Sequence, residues 1–138
     1  VALRWSGWVL LAFVGVRVST AEVYRAWRPT DATHMQRGMD GTILQATTAE
    51  EISVMLSNHL EPAVFRVSPA VARAYEEVHR AGLGPMRVSG AGSTLYRLFD
   101  EEEETSRAAR QIEDLQIGMT TLVVAAPAGP GLMVSEEC

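Results

Sequence analysis

Residues 86–99, MRVSGAGSTLYRLF, set Ser89, Gly90, Ala91, Gly92, Ser93 and Thr94 between two short apolar runs. Two kinds of chemistry suit that composition. Glycine supplies the positive φ of a tight hairpin turn. It also lets backbone N–H groups approach a phosphate, with the hydroxyls of Ser89, Ser93 and Thr94 as further donors. The Gly-Lys-Ser/Thr of a P-loop is absent, and the glycine spacing is not that of a dinucleotide-binding turn. On pattern alone the hairpin is the stronger reading.

Other candidate groups are sparser. Tyr24 sits on a short helix, where it either packs partly into the core or offers a ring for a base to stack on. In SNHLE, residues 57–61, Asn58 suits a helix cap and Glu61 the matching capping-box position, a reading preferred over direct ligand contact. His34, His59 and His79 have no metal-ligand spacing and read as surface or helix-face histidines. The acidic run 100–104 reads as a solvated helix start, since consecutive helical positions point in different directions. No Ser/His/Asp or Cys/His set stands out. The residues alone therefore offer no catalytic base or nucleophile and no metal site.

The elements that must position these groups come from a chain of 138 residues, 47% hydrophobic and 21% charged, which suits one domain with a real core. The net charge of −5 argues against a nucleic-acid surface. All 12 basic residues are arginine, so lysine chemistry must come from elsewhere. Cys138 is the single cysteine, so no intrachain disulfide forms and nothing requires an oxidising compartment. The apolar run WVLLAFVGV is far shorter than the roughly 20 residues of a membrane span, and it reads as a strand rather than a signal peptide. No membrane partner and a cytoplasmic location are expected. The start at Val1, inside structured-looking sequence, suggests a fragment.

Residues 8–17 read as a strand buried on both faces. A helix follows, capped by Ser19 or Thr20 and ended by Pro29. Residues 30–47 read as a loop. Thr48 opens a helix carrying Ile52, Met55 and Leu56, and Pro62 opens a short one. Ser68 caps the strongest helix, with Val71, Ala74, Tyr75 and Val78 on one stripe. Two short strands flank the glycine turn, an acidic helix follows, and MTTLVVAA closes as a strand. The order predicts an α+β fold of split β-α-β, ferredoxin-like type: an antiparallel sheet with helices packed on one face. Residues 1–7 read as a ragged start, 8–127 as the domain and 128–138 as a flexible tail.

Three stretches together, VSTAEVYRAW, SNHLEPAVF and MRVSGAGSTLYRLFD, resemble in order and rough spacing the C-terminal half of the 4-diphosphocytidyl-2-C-methyl-D-erythritol kinases. These belong to the GHMP kinase superfamily. The resemblance covers roughly residues 8–126. It implies a two-lobed enzyme with its active site in the cleft between the lobes. It also implies ATP- and Mg²⁺-dependent phosphorylation of the substrate's 2-hydroxyl, a step of the non-mevalonate route to isoprenoid precursors. By the same resemblance, residues 88–94 are the glycine loop near the phosphates, Tyr24 stacks on the cytosine and Thr20 lies near the substrate. Ala21 replaces a proline frequent in the family, and the approach to STAEVY lacks the family's proline-rich character.

The resemblance places the main phosphate loop and the catalytic Asp and Lys in an N-terminal lobe, so this chain is expected to hold no catalytic residue and to be inactive alone. That lobe is its implied partner. Two rivals stand beside this reading. One is another GHMP small-molecule kinase of homoserine or mevalonate type. The other is a non-catalytic small-ligand or dimerisation module.

Overall fold

The computed structural model describes residues 4–32 and 45–127. Strand β1 (Gly7–Phe13) leads to helix α1 (Thr20–Ala26) and a 3-10 turn (Pro29–Ala32). Helices α2 (Ala49–Met55), α3 (Glu61–Val67) and α4 (Pro69–Arg80) precede the hairpin of β2 (Arg87–Val88) and β3 (Thr94–Phe99). Helix α5 (Glu102–Asp114) and strand β4 (Thr120–Ala126) complete the described chain.

The strands form one antiparallel sheet in the order β2-β3-β1-β4, so the α+β fold stands. β1 is central: Leu10 lies opposite Arg97 on one side and Val123 on the other. The expected burial of this strand on both faces does not hold. Leu10 and Ala12 are buried, whereas Phe13, pointing the other way, is exposed. The strand is also shorter than expected, and Gly15 with φ +81° follows its end.

Local rules account for the helix starts. Ser19 accepts the N–H of Glu22, and Ser68 that of Val71. Thr48 and Glu51 form a full capping box. The main core lies on one sheet face, where Val23 of α1, Val64 of α3, Val71 and Val78 of α4 and Ile112 of α5 meet Leu10, Val88 and Leu95. Helix α2 goes to the opposite face. Its Ala49 and Ile52 join Trp5, Ala46 and Ala126 in a second cluster, with Val9 and Leu98 against it.

Asp100 explains that placement. One carboxylate oxygen accepts both the indole N–H of Trp5 and the N–H of Ala49, each at 2.8 Å, tying the end of β3 to the first turn of α2. Residues 100–104 are exposed, as expected of a solvated helix start, and Asp100 is a structural anchor as well. Trp5, ahead of the strand, is buried. Residues 1–3, 33–44 and 128–138, with His34 and the expected tail, lie outside the described residues.

Candidate functional site

The glycine-rich stretch is the turn of the β2–β3 hairpin. Ser89 N–H donates to the Thr94 carbonyl at 2.8 Å, and Gly92 N–H to the Ser89 carbonyl at 3.0 Å. Gly90 and Gly92 take φ of +56° and +88°. The two glycines differ in surroundings. A Cβ on Gly92 would come 3.0 Å from Val64 Cγ1, so the backbone rests on α3 there. A Cβ on Gly90 would meet nothing within 4 Å, so this part of the loop faces open space.

The segment 58–61 holds the turn from behind. The Asn58 side-chain amide donates to the carbonyls of Val88 at 2.8 Å and Gly90 at 2.6 Å. Glu61 accepts the N–H of Val88 at 2.9 Å. Val88 and Leu95 face each other without exchanging bonds, so both Val88 backbone groups point off the sheet edge. Asn58 and Glu61 take those groups as a neighbouring strand would. The capping reading of this segment is thus corrected. Leu60 is the residue before α3 and makes no side-chain cap bond; the Asn58 oxygen accepts the N–H of Leu60 at 3.0 Å, and both remaining functions reach the hairpin.

Glu61 is held in a dry place. Burial raises its pKa above the ordinary carboxylate value, opposed by the Val88 N–H and by Arg87 at 3.8 Å. His79 is structural. Its Nε2 accepts the N–H of Met86 at 3.2 Å, so Nδ1 carries the proton and donates to the Tyr75 carbonyl at 2.8 Å.

On α1, Val23 is buried and Tyr24 is 52% exposed, so the ring of Tyr24 is not a core side chain. Thr20 is exposed at the first helical position. The end of α1 is joined to the segment behind the turn: Trp27 and His59 meet edge-on with ring centroids 6.0 Å apart. Arg66 of α3 reinforces the junction, donating to the Ala26 carbonyl at 2.8 Å and pairing with Asp31. That hydrogen bond from Arg66 is the main cause holding the Asp31 carboxyl below its ordinary range.

Sequence reasoning missed Asn58, Glu61 and Arg66 as positioning groups. Only the Asn-x-x-Glu spacing hinted at two side chains on one side of a turn. A separate groove of 410 Å³ between α2 and β3 is lined by Val54, Leu98, Arg87 and Tyr96 among others, but by none of Thr20, Tyr24 or residues 89–94. Among the described residues, no three His, Cys, Asp or Glu side chains gather as a metal site.

A family model described as "GHMP kinases C terminal" matches residues 43–116, more than half of the chain. The chain belongs to the GHMP kinase C-terminal family. Curated relatives of this GHMP domain carry the name 4-diphosphocytidyl-2-C-methyl-D-erythritol kinase. One from Geobacter sp. is 36% identical over 108 residues, which cover 77% of this chain and 36% of the relative. One from Shouchella clausii is 31% identical over 100 residues, 72% of this chain and 34% of the relative. The chain thus spans about a third of the length of the relatives it matches.

Among solved structures, a 4-(cytidine 5'-diphospho)-2C-methyl-D-erythritol kinase superposes with a TM-score of 0.71 at 24% identity, over 94% of this chain and 46% of that one. A homoserine kinase from Cytophaga hutchinsonii superposes at 0.61 with 18% identity, over 86% of this chain and 41% of that one. Both share the GHMP domain's fold. No helix among the described residues is long and apolar enough to cross a membrane.

Proposed function

We propose that this domain is the C-terminal lobe of a kinase that phosphorylates the 2-hydroxyl of 4-diphosphocytidyl-2-C-methyl-D-erythritol with ATP. The names of its relatives support the substrate. The observation that carries the reading is the turn itself: Gly90 leaves open space in front of the backbone while Asn58 holds the loop from behind. A phosphate fits such a cradle, because a side chain at Gly90 would occupy the space it needs.

In this reading the turn lines the phosphates, with the hydroxyls of Ser93 and Thr94 close by. The exposed ring of Tyr24 stacks on the cytosine, and Thr20 lies beside the substrate. ATP with Mg²⁺ supplies the phosphoryl group and its counter-charge when bound. We assign no residue of this chain to the metal. The catalytic Asp and Lys belong to an N-terminal lobe outside these 138 residues, so the chain alone transfers no phosphate. The homoserine kinase neighbour shares the fold alone, so the substrate rests on the relatives and on Tyr24.

Calorimetric titration with cytidine 5'-diphosphate tests the substrate assignment. Base–aromatic stacking contributes about 1–3 kcal/mol. Tyr24→Leu should therefore weaken binding by roughly tenfold or more, and Tyr24→Phe should preserve it. Equal affinity for the wild type and Tyr24→Leu rejects the cytidine reading.

A further inference from the structure

The geometry points to Asn58 as a positioning residue that aims the N–H of Ala91 out of the turn, toward a phosphate oxygen. The inference rests on the phosphate-loop reading of residues 89–94 and goes one step further, to a particular donor and the side chain that orients it.

The Gly90–Ala91 peptide is trans, since the cis bonds of the described chain lie elsewhere. In a trans peptide the C=O and N–H point in opposite directions. The Gly90 carbonyl is held by the Asn58 amide at 2.6 Å, on the inner side of the loop. The Ala91 N–H is therefore turned away from Asn58, and at the neighbouring Gly90 an added Cβ would meet nothing within 4 Å. No backbone acceptor takes that N–H among the described residues. Of the other turn amides, those of Ser89 and Gly92 are committed to the Thr94 and Ser89 carbonyls, while those of Gly90 and Ser93, like that of Ala91, have no backbone acceptor among the described residues, so it is the Asn58 contact to the Gly90 carbonyl that singles out Ala91.

Asn58 is suited to this by having a donor pair and an acceptor on one short side chain. Its oxygen is fixed by the N–H of Leu60, so the amide orientation is set and both N–H bonds face the hairpin. Aspartate has almost the same shape and no donor when ionised. At position 58 it would set a carboxylate against two carbonyl oxygens, and protonation would return one donor.

The test compares wild type, Asn58→Asp and Asn58→Ala as the full 138-residue chain, with melting temperature as a folding control. Protection of the Ser89 and Gly92 amides against hydrogen exchange reads the shape of the turn, and an ADP titration followed at the Ala91 amide resonance reads the donor. Asn58→Asp should lose at least tenfold in protection and in ADP affinity at pH 8. It should recover a substantial part of both near pH 4.5, relative to wild type at the same pH. Asn58→Ala should lose both at either pH, which separates orientation from the mere presence of a polar side chain. Wild-type protection and affinity in Asn58→Asp at pH 8, or a loss that does not depend on pH, would overturn the positioning role. If the wild-type Ala91 resonance ignores ADP while protection in Asn58→Asp still follows protonation of the introduced carboxylate, the phosphate reading of the loop fails and the positioning of the turn stands.

Discussion

The carboxylate of Glu61 accepts the N–H of Val88 at 2.9 Å, across 27 positions of sequence. It is a charged partner for an edge-strand backbone group, and it is buried enough that desolvation outweighs the helpful contacts and raises its pKa. The raised pKa sets the sign of its pH dependence. The contribution of Glu61 to stability is full below its ordinary value of 4.5 and is lost as pH rises through the higher folded value.

Glu61→Gln keeps an oxygen for Val88 and removes the titration. Its melting temperature relative to wild type should therefore rise between about pH 4 and neutral. Thermal melts across that range check this. A difference that stays constant, or that moves in favour of wild type with rising pH, contradicts the buried-carboxylate account.

Asp100 anchors α2 and Trp5 through one oxygen, so its loss leaves the Ala49 N–H at the start of α2 and the indole N–H of buried Trp5 unpaired together, with the Thr48–Glu51 capping box still in place. Asp100→Ala should cost about 1–3 kcal/mol, from the two unpaired donors. Asp100→Asn retains an acceptor and should cost less. Denaturant unfolding followed by tryptophan fluorescence gives both values.

The two turn glycines should separate. Gly92→Ala combines a φ of +88° with a contact 3.0 Å from Val64, a conformation costing about 1–3 kcal/mol before the clash is counted. Gly90→Ala has φ +56° and open space, so its cost should be about 1 kcal/mol or a little more. On the proposed function, Gly90→Ala should nevertheless weaken ADP binding, because its methyl group occupies the phosphate side. Paired unfolding and titration curves test the inversion.

What could be read ahead of the structure was what is encoded locally. Ser19, Thr48 with Glu51, and Ser68 cap their helices because the partner N–H lies three residues on. The glycine turn between two apolar runs declared a hairpin for the same reason. The role of Asn58 was not legible. Its amide reaches carbonyls 30 and 32 residues away, and a cap-forming side chain looks the same in sequence whether it caps or not. Nor was the side of the sheet that α2 takes. The apolar positions of a helix say that a face is buried but not against which face of a sheet, and the bond that decides it joins Ala49 to Asp100. The family resemblance rested on the combination of STAEVY, NHLE and the glycine turn. The structure joins these segments through Trp27 against His59 and Asn58 against Gly90.

The most direct test of the central claim, that Tyr24 of α1 takes the cytidine while the glycine turn takes a nucleotide phosphate, is a backbone amide NMR titration of the chain with cytidine 5'-diphosphate and, separately, with ADP. The account predicts that cytidine 5'-diphosphate moves resonances around Tyr24, a response that Tyr24→Leu weakens, and that ADP moves those of Gly90 and Ala91. Shifts confined to the α2–β3 groove around Val54 and Leu98, or no shifts at Tyr24 and the turn at millimolar ligand, would contradict it.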